Sequence, residues 1–369
     1  MNEEMERNEL GVTEQTPLPV QPEPVTPEAA APIWAEPVQV EPVFFIKPVR
    51  KVFSRIGWAL STILLAATVA QVLMILIPQW LWGPENWLST SSWGMWITML
   101  VPMYFVAMPL CILIMQGMPA EKPRDAKLGA GNFFVFFCIF YFFTYAGNII
   151  GTVLSALLSG GTAQNEVSEL AMDNNPLKIV VMVILAPLLE ELICRKLIID
   201  RTRKYGEKIA VVLSGLTFGL LHGNLFQFFY AFAGGMLMGY IYIRTGRLRY
   251  TVLIHVIMNF MGAVIAPFIL TSVDMELLQT LETTMPTEEM LAVYQQILPG
   301  LLLLMGYSLL LIGVSITGLV FFILKCKKLV WLPAEKQLPK GKCFKTVYLN
   351  AGMIVFLLLC IASMVSALF

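Results

Sequence analysis

The chain has 369 residues, of which 57% are hydrophobic and 14% charged, against roughly 25% charged in an ordinary soluble domain. Its 25 basic and 25 acidic residues give a formal net charge of zero, so nothing in the charge balance points to nucleic acid as a partner. Six Cys (Cys111, Cys138, Cys194, Cys326, Cys343 and Cys360) show no CxxC and no regular spacing, so neither disulfides nor Cys-bound metal is expected.

Residues 1–46 carry nine Glu, and nine prolines fall between Pro17 and Pro48. No apolar core precedes Phe44, so this segment reads as a disordered, acidic, Pro-rich cytoplasmic tail. The rest, 47–369, reads as a transmembrane domain. A spanning helix needs about 20 apolar residues to cross roughly 30 Å of hydrocarbon. Nine segments are candidates: 54–77, 93–117, 130–158, 176–199, 208–224, 225–244, 250–271, 299–325 and 346–368. The fifth and sixth are short and joined by almost no loop. The expected fold class is all-α, a polytopic bundle of about nine transmembrane helices.

The loops test that count independently, because Lys and Arg favour short cytoplasmic loops. Lys47, Arg50, Lys51 and Arg55 precede the first span, and 78–92 has no basic residue. Lys122, Arg124 and Lys127 follow the second span, and 159–175 has none. Arg195, Lys196, Arg201, Arg203, Lys204 and Lys208 come next, at and after the end of the fourth span, with Arg195 near the cytoplasmic boundary, then a bare turn at 223–225. Arg244, Arg247 and Arg249 are followed by the acidic, unbasic stretch 272–298, and a Lys-rich loop over 325–345 closes the series. The alternation predicts an integral membrane protein, assigned to the plasma membrane, with a cytoplasmic N-terminus and a non-cytoplasmic C-terminus. Trp80, Trp82, Trp87, Trp93 and Trp96 crowd one loop without basic residues, as rings at headgroup level would.

Ionisable side chains at membrane depth cost about 2.5–3.5 kcal/mol on insertion scales and so tend to be functional. Glu190, Glu191 and Arg195 lie in VVMVILAPLLEELICRKLIID, His222 ends LSGLTFGLLHGN, and His255 and Asn259 lie in TVLIHVIMNF. These are the only two histidines of the chain. Glu191 and Arg195 are four apart with Glu on the N-terminal side, the favourable order for an ion pair. Glu190 points about 100° away and has no partner in its own helix, which suits a general base. His255 and Asn259 share a face, so the amide can orient the ring or donate to a developing oxyanion. Phe218 and His222 share one likewise. Gly215, Gly219 and Gly223 form one small-residue stripe, and Gly235 and Gly239 another, permitting close helix contact. Pro187 leaves a carbonyl without its donor and is expected to kink the helix beside Glu190. Counted from the nearest basic residues along straight helices, His222 lies roughly 10 Å too far outward to meet Glu190.

Glu190-Glu191-Leu-Ile-Cys-Arg195, Phe218-Gly-Leu-Leu-His222 and His255-Val-Ile-Met-Asn259, in that order on successive apolar segments, resemble the CPBP family. These CAAX proteases and bacteriocin-processing enzymes are also called the abortive-infection family. The resemblance covers about 176–265, read as the catalytic core. It implies an eight-helix core around a cavity open to the cytoplasm and endopeptidase action on membrane-associated, lipidated CAAX-like or leader-peptide substrates, some of them prenylated. It also implies Glu190 as the base activating a water, with His222, His255 and Asn259 as partners of the scissile carbonyl and Glu191, Arg195 and Phe218 in support. No metal is favoured. A zinc site, were there one, would use His222, His255 and Glu190. Two other classes stay open on the residues alone: a transporter or channel with a proton relay through the Glu/His cluster, and a catalytically silent immunity or binding protein.

Overall fold

A computed structural model describes residues 46–280 and 287–369. The predicted tail, save Ile46, and part of the acidic stretch 272–298 therefore lie outside the described residues. Among those described, the chain is helical throughout. Its main helices are α1 (Ile46–Trp82), α2 (Ser92–Gln116), α3 (Ala130–Ser159), the short α4 (Glu166–Met172), α5 (177–202), α6 (Glu207–Leu221), α7 (Leu225–Thr245), α8 (Leu248–Leu270), α9 (Thr287–Lys325) and α10 (Ala351–Ser366). Except for α4, they coincide with the nine predicted segments.

Six of them, α1, α2, α3, α7, α8 and α9, are long and apolar enough to cross a membrane. The protein is a polytopic, all-α membrane protein. The expectation of nine full spans is met only in part, for a physical reason. Helices α6 and α10 have 15 and 16 residues, which at about 1.5 Å per residue falls short of the hydrocarbon thickness. Helix α5 carries the Glu pair and Arg195 in its middle, which interrupts its apolar run.

Glycines set the closest helix contacts. A Cβ on Gly215 would lie 2.6 Å from the Met236 side chain, and one on Gly235 would lie 3.0 Å from the Gly215 backbone. The two predicted small-residue stripes thus face each other across the α6–α7 hairpin. Gly223 turns that hairpin at φ +66°, where a side chain would be strained. Helix α1 meets α10 through Gly57 and Gly352, and α9 meets α3 at Gly318, each too close for a Cβ.

Three stretches widen to π-helical turns: Val101–Ala107 in α2, Ile179–Leu185 in α5 and Met261–Ile265 in α8. Each ends two residues before a proline, Pro109, Pro187 or Pro267. Immediately before these prolines, the Met108, Ala186 and Ala266 N–H groups bond five residues back, to Met103, Val181 and Met261. Proline has no N–H to continue that register. The kink expected at Pro187 takes this form. A fourth wide stretch, Leu192–Ile199, carries Arg195 and precedes no proline.

The loops sort by charge. Glu121 N–H donates to Asp200 O (2.7 Å), Ala126 N–H to Thr245 O (2.9 Å) and Lys336 N–H to Lys204 O (2.8 Å). Arg55 donates to Ile114 O (2.8 Å) and Arg50 to Leu349 O. All five basic loops are thereby knitted together at one end. At the other end the Asp173 carboxylate accepts from Ser92 (2.8 Å) and Trp96 (2.5 Å), and Ser363 donates to Gly223 O (3.3 Å).

Candidate active site

The two adjacent glutamates have opposite environments. The Glu191 side chain is fully buried and pairs with Arg195, with Nε 2.9 Å and Nη2 3.0 Å from its carboxylate oxygens. Nη1 of Arg195 donates to Ser214 Oγ (3.0 Å), which donates in turn to Cys194 O (2.7 Å). The guanidinium also lies over the Phe218 ring, 4.9 Å from its centroid. A buried charge is tolerated only when it is paired. Glu190, by contrast, keeps 27% of its side chain exposed, and that exposure is to a cavity of about 640 Å³ between the helices.

His222, His255 and Asn259 line the same cavity. His255 lies between the two carboxylates, with Nδ1 3.3 Å from Glu191 and Nε2 3.8 Å from Glu190. Phe218 meets both imidazoles edge-on, at 5.0 Å from His222 and 5.4 Å from His255. His222 Nδ1 is 2.7 Å from Phe218 O. A carbonyl only accepts, so Nδ1 carries a proton, and in the neutral ring Nε2 is a bare acceptor.

Asn259 donates to Met182 O at 2.7 Å. In the five-residue register of that turn, Met182 O is the carbonyl that Pro187 cannot serve. The amide therefore supplies the missing donor and ties α8 to α5 beside Glu190.

The structure thus brings Glu190, His222, His255 and Asn259 to one cavity, and it removes the depth conflict at His222. Arg195 is fully buried in the helix packing, so it does not mark the end of its helix from which depth should be counted. Helix α5 runs on to residue 202. Glu190 is then 12 residues from its end, against 15 from Glu207 to His222.

Sequence reasoning missed Ser214, whose signal was its place on the face of Phe218 and His222, four residues before the Phe. It also missed a polar chain at the start of α7, where Asn224 donates to Gln227 (2.9 Å) and Gln227 to Tyr230 (2.9 Å). Gln227, Tyr230 and Tyr104 line the cavity. Asn224 and Gln227 stand out as amides in an apolar run. Among the described residues, no three His, Cys, Asp or Glu side chains are arranged to hold a metal ion.

Residues 173–261 match the family model described as "Type II CAAX prenyl endopeptidase Rce1-like". The matched stretch contains all three motifs. This region belongs to the CPBP family. The chain is also similar to the Bacillus subtilis (strain 168) protein named "Putative membrane peptidase YdiL", 26% identical over 181 residues, covering 47% of this chain and 72% of that one. No solved structure matches. The matched region accounts for α5 to most of α8. Helices α9 and α10 lie outside it.

Proposed function

We propose that the protein is an intramembrane endopeptidase that hydrolyses peptide bonds of membrane-associated substrates with a water activated by Glu190. The observation that carries this reading is the partly exposed Glu190 carboxylate in a cavity shared with both histidines and Asn259, while Glu191 is sealed into an ion pair.

In the proposed reaction the water sits between Glu190 and the bare Nε2 of His222. Glu190 takes its proton as the oxygen bonds to the scissile carbonyl carbon. The carbonyl oxygen gains negative charge opposite His255 and the second N–H of Asn259, which act as its partners. When the C–N bond breaks, Glu190 returns the proton to the leaving amine. The six neighbours Met99, Met103, Met108, Met182, Met258 and Phe140 give the cavity adaptable apolar walls, which suit apolar residues flanking the cleaved bond. No step requires a metal.

The test is cleavage of a peptide library by protein purified in detergent, with metal content measured on the same samples. Wild type is expected to cleave, and Glu190→Ala to be expressed and inert. Full activity in Glu190→Ala, or activity that follows bound metal alone, overturns the reading.

A further inference from the structure

The cavity is closed toward one end of the molecule. Below the site on the basic side lie the Glu191–Arg195 pair and a layer of fully buried residues, Cys194, Ile198, Leu213, Met238 and Ile254. No residue of any basic loop lines the cavity.

Toward the other end the walls continue to the protein surface. Asn165, Val167, Ser168 and Leu170, in and beside α4, line the cavity, as does Leu270 at the end of α8. Ser168 is exposed and Leu270 is 50% exposed, so this rim reaches solvent or lipid. Helix α4 thus forms part of the rim. Its C-terminal side is fastened twice: the Lys178 ammonium donates to Ala171 O (2.9 Å), and Asp173 accepts from Ser92 and Trp96. Before its N-terminal side stand Gly160 and Gly161, both at positive φ, a conformation open to glycine and strained for other residues.

Basic loops mark the cytoplasmic face, and here all of them gather at the closed end. We infer that the site is entered from the non-cytoplasmic face, beneath α4, and that its substrate is a peptide segment presented on that side. The substrate part rests on the endopeptidase reading; the sidedness does not. The family resemblance implies a cavity open to the cytoplasm instead, whereas in this chain the basic loops and the cavity mouth lie at opposite ends.

The experiment uses full-length protein in intact cells and in inverted membrane vesicles, with a membrane-impermeant thiol reagent. Native Cys343, in the Lys-rich loop, reports the basic face. Ser168→Cys reports α4, and Thr144→Cys reports the cavity wall. Ser168→Cys and Thr144→Cys are expected to label in intact cells, and Cys343 only in inverted vesicles. Labelling of Ser168→Cys from the same side as Cys343, or failure of Thr144→Cys to label from the α4 side, overturns the sidedness.

In parallel, proteoliposomes sorted by orientation receive an impermeant peptide that the detergent-solubilised enzyme cleaves. Cleavage is expected only when α4 faces the peptide. Cleavage only with the basic face outward overturns the substrate assignment. If the solubilised enzyme cleaves nothing while Thr144→Cys labels from the α4 side, the endopeptidase reading fails and the sidedness stands.

Discussion

Glu190 and Glu191 are neighbours in sequence with opposite chemistry, and one helical step of about 100° separates their surroundings. The i,i+4 spacing to Arg195 made that split legible in the sequence. Ser214, which accepts from the arginine's Nη1, was less so, because it comes from another helix. The split predicts opposite mutant phenotypes. Arg195→Ala strands the Glu191 charge in a dry site and is expected to cost about 3–5 kcal/mol. Glu190→Gln, at a cavity surface, is expected to change stability by no more than about 0.5 kcal/mol. Thermal unfolding in detergent measures both. Equal losses in the two variants would mean that Glu190 is also a structural charge.

Among the elements, α5 and α8 hold the site through an exchange of backbone and side-chain donors. Pro187 lacks the N–H that Met182 O would receive, and Asn259 replaces it. The sequence showed the proline and placed Asn259 beside His255, but the turn widens to five-residue bonding only through helix packing, and that packing selects Met182 as the amide's target. Asn259→Ala is expected to cost about 1 kcal/mol through the lost hydrogen bond. In a Pro187→Ala background, where an N–H is available again, the same substitution should cost clearly less. A double-mutant cycle on unfolding free energy measures this coupling, and strictly additive losses would show that the two groups act independently. The α6–α7 contact was legible for a simpler reason: glycines at four-residue spacing leave a groove whatever partner fills it.

For the whole molecule, the alternation of basic and unbasic loops was readable residue by residue, and the structure gathers the basic ones at one end. Where the cavity opens was not readable, since it depends on which of two layers is packed shut. The depth of His222 was misjudged for a related reason: Arg195 looks like a boundary residue in the sequence and is an interior one in the fold. The fastening of α4 at Asp173 gives a pH prediction. The hydrogen bond from Trp96, and more weakly that from Ser92, hold the Asp173 carboxyl below its ordinary value of 3.8. A depressed folded-state value means that this fastening is complete above pH 3.8 and is lost as pH falls through the lower folded value. Amide exchange of 166–172, corrected for intrinsic rate, is expected to lose protection over that acid range in wild type. Asp173→Ala should show low protection already at neutral pH, with no further acid loss. The same acid loss in both proteins would place the titrating group elsewhere.

Isotope transfer reports whether Glu190 activates a water at a peptide bond. Purified wild type is incubated with a cleaved peptide in water enriched in heavy oxygen, alongside Glu190→Gln, and the products are weighed by mass spectrometry. Wild type is expected to place one heavy oxygen in each newly formed carboxyl terminus, and Glu190→Gln to give no product. Undiminished cleavage by Glu190→Gln, or a new terminus without heavy oxygen, would contradict it.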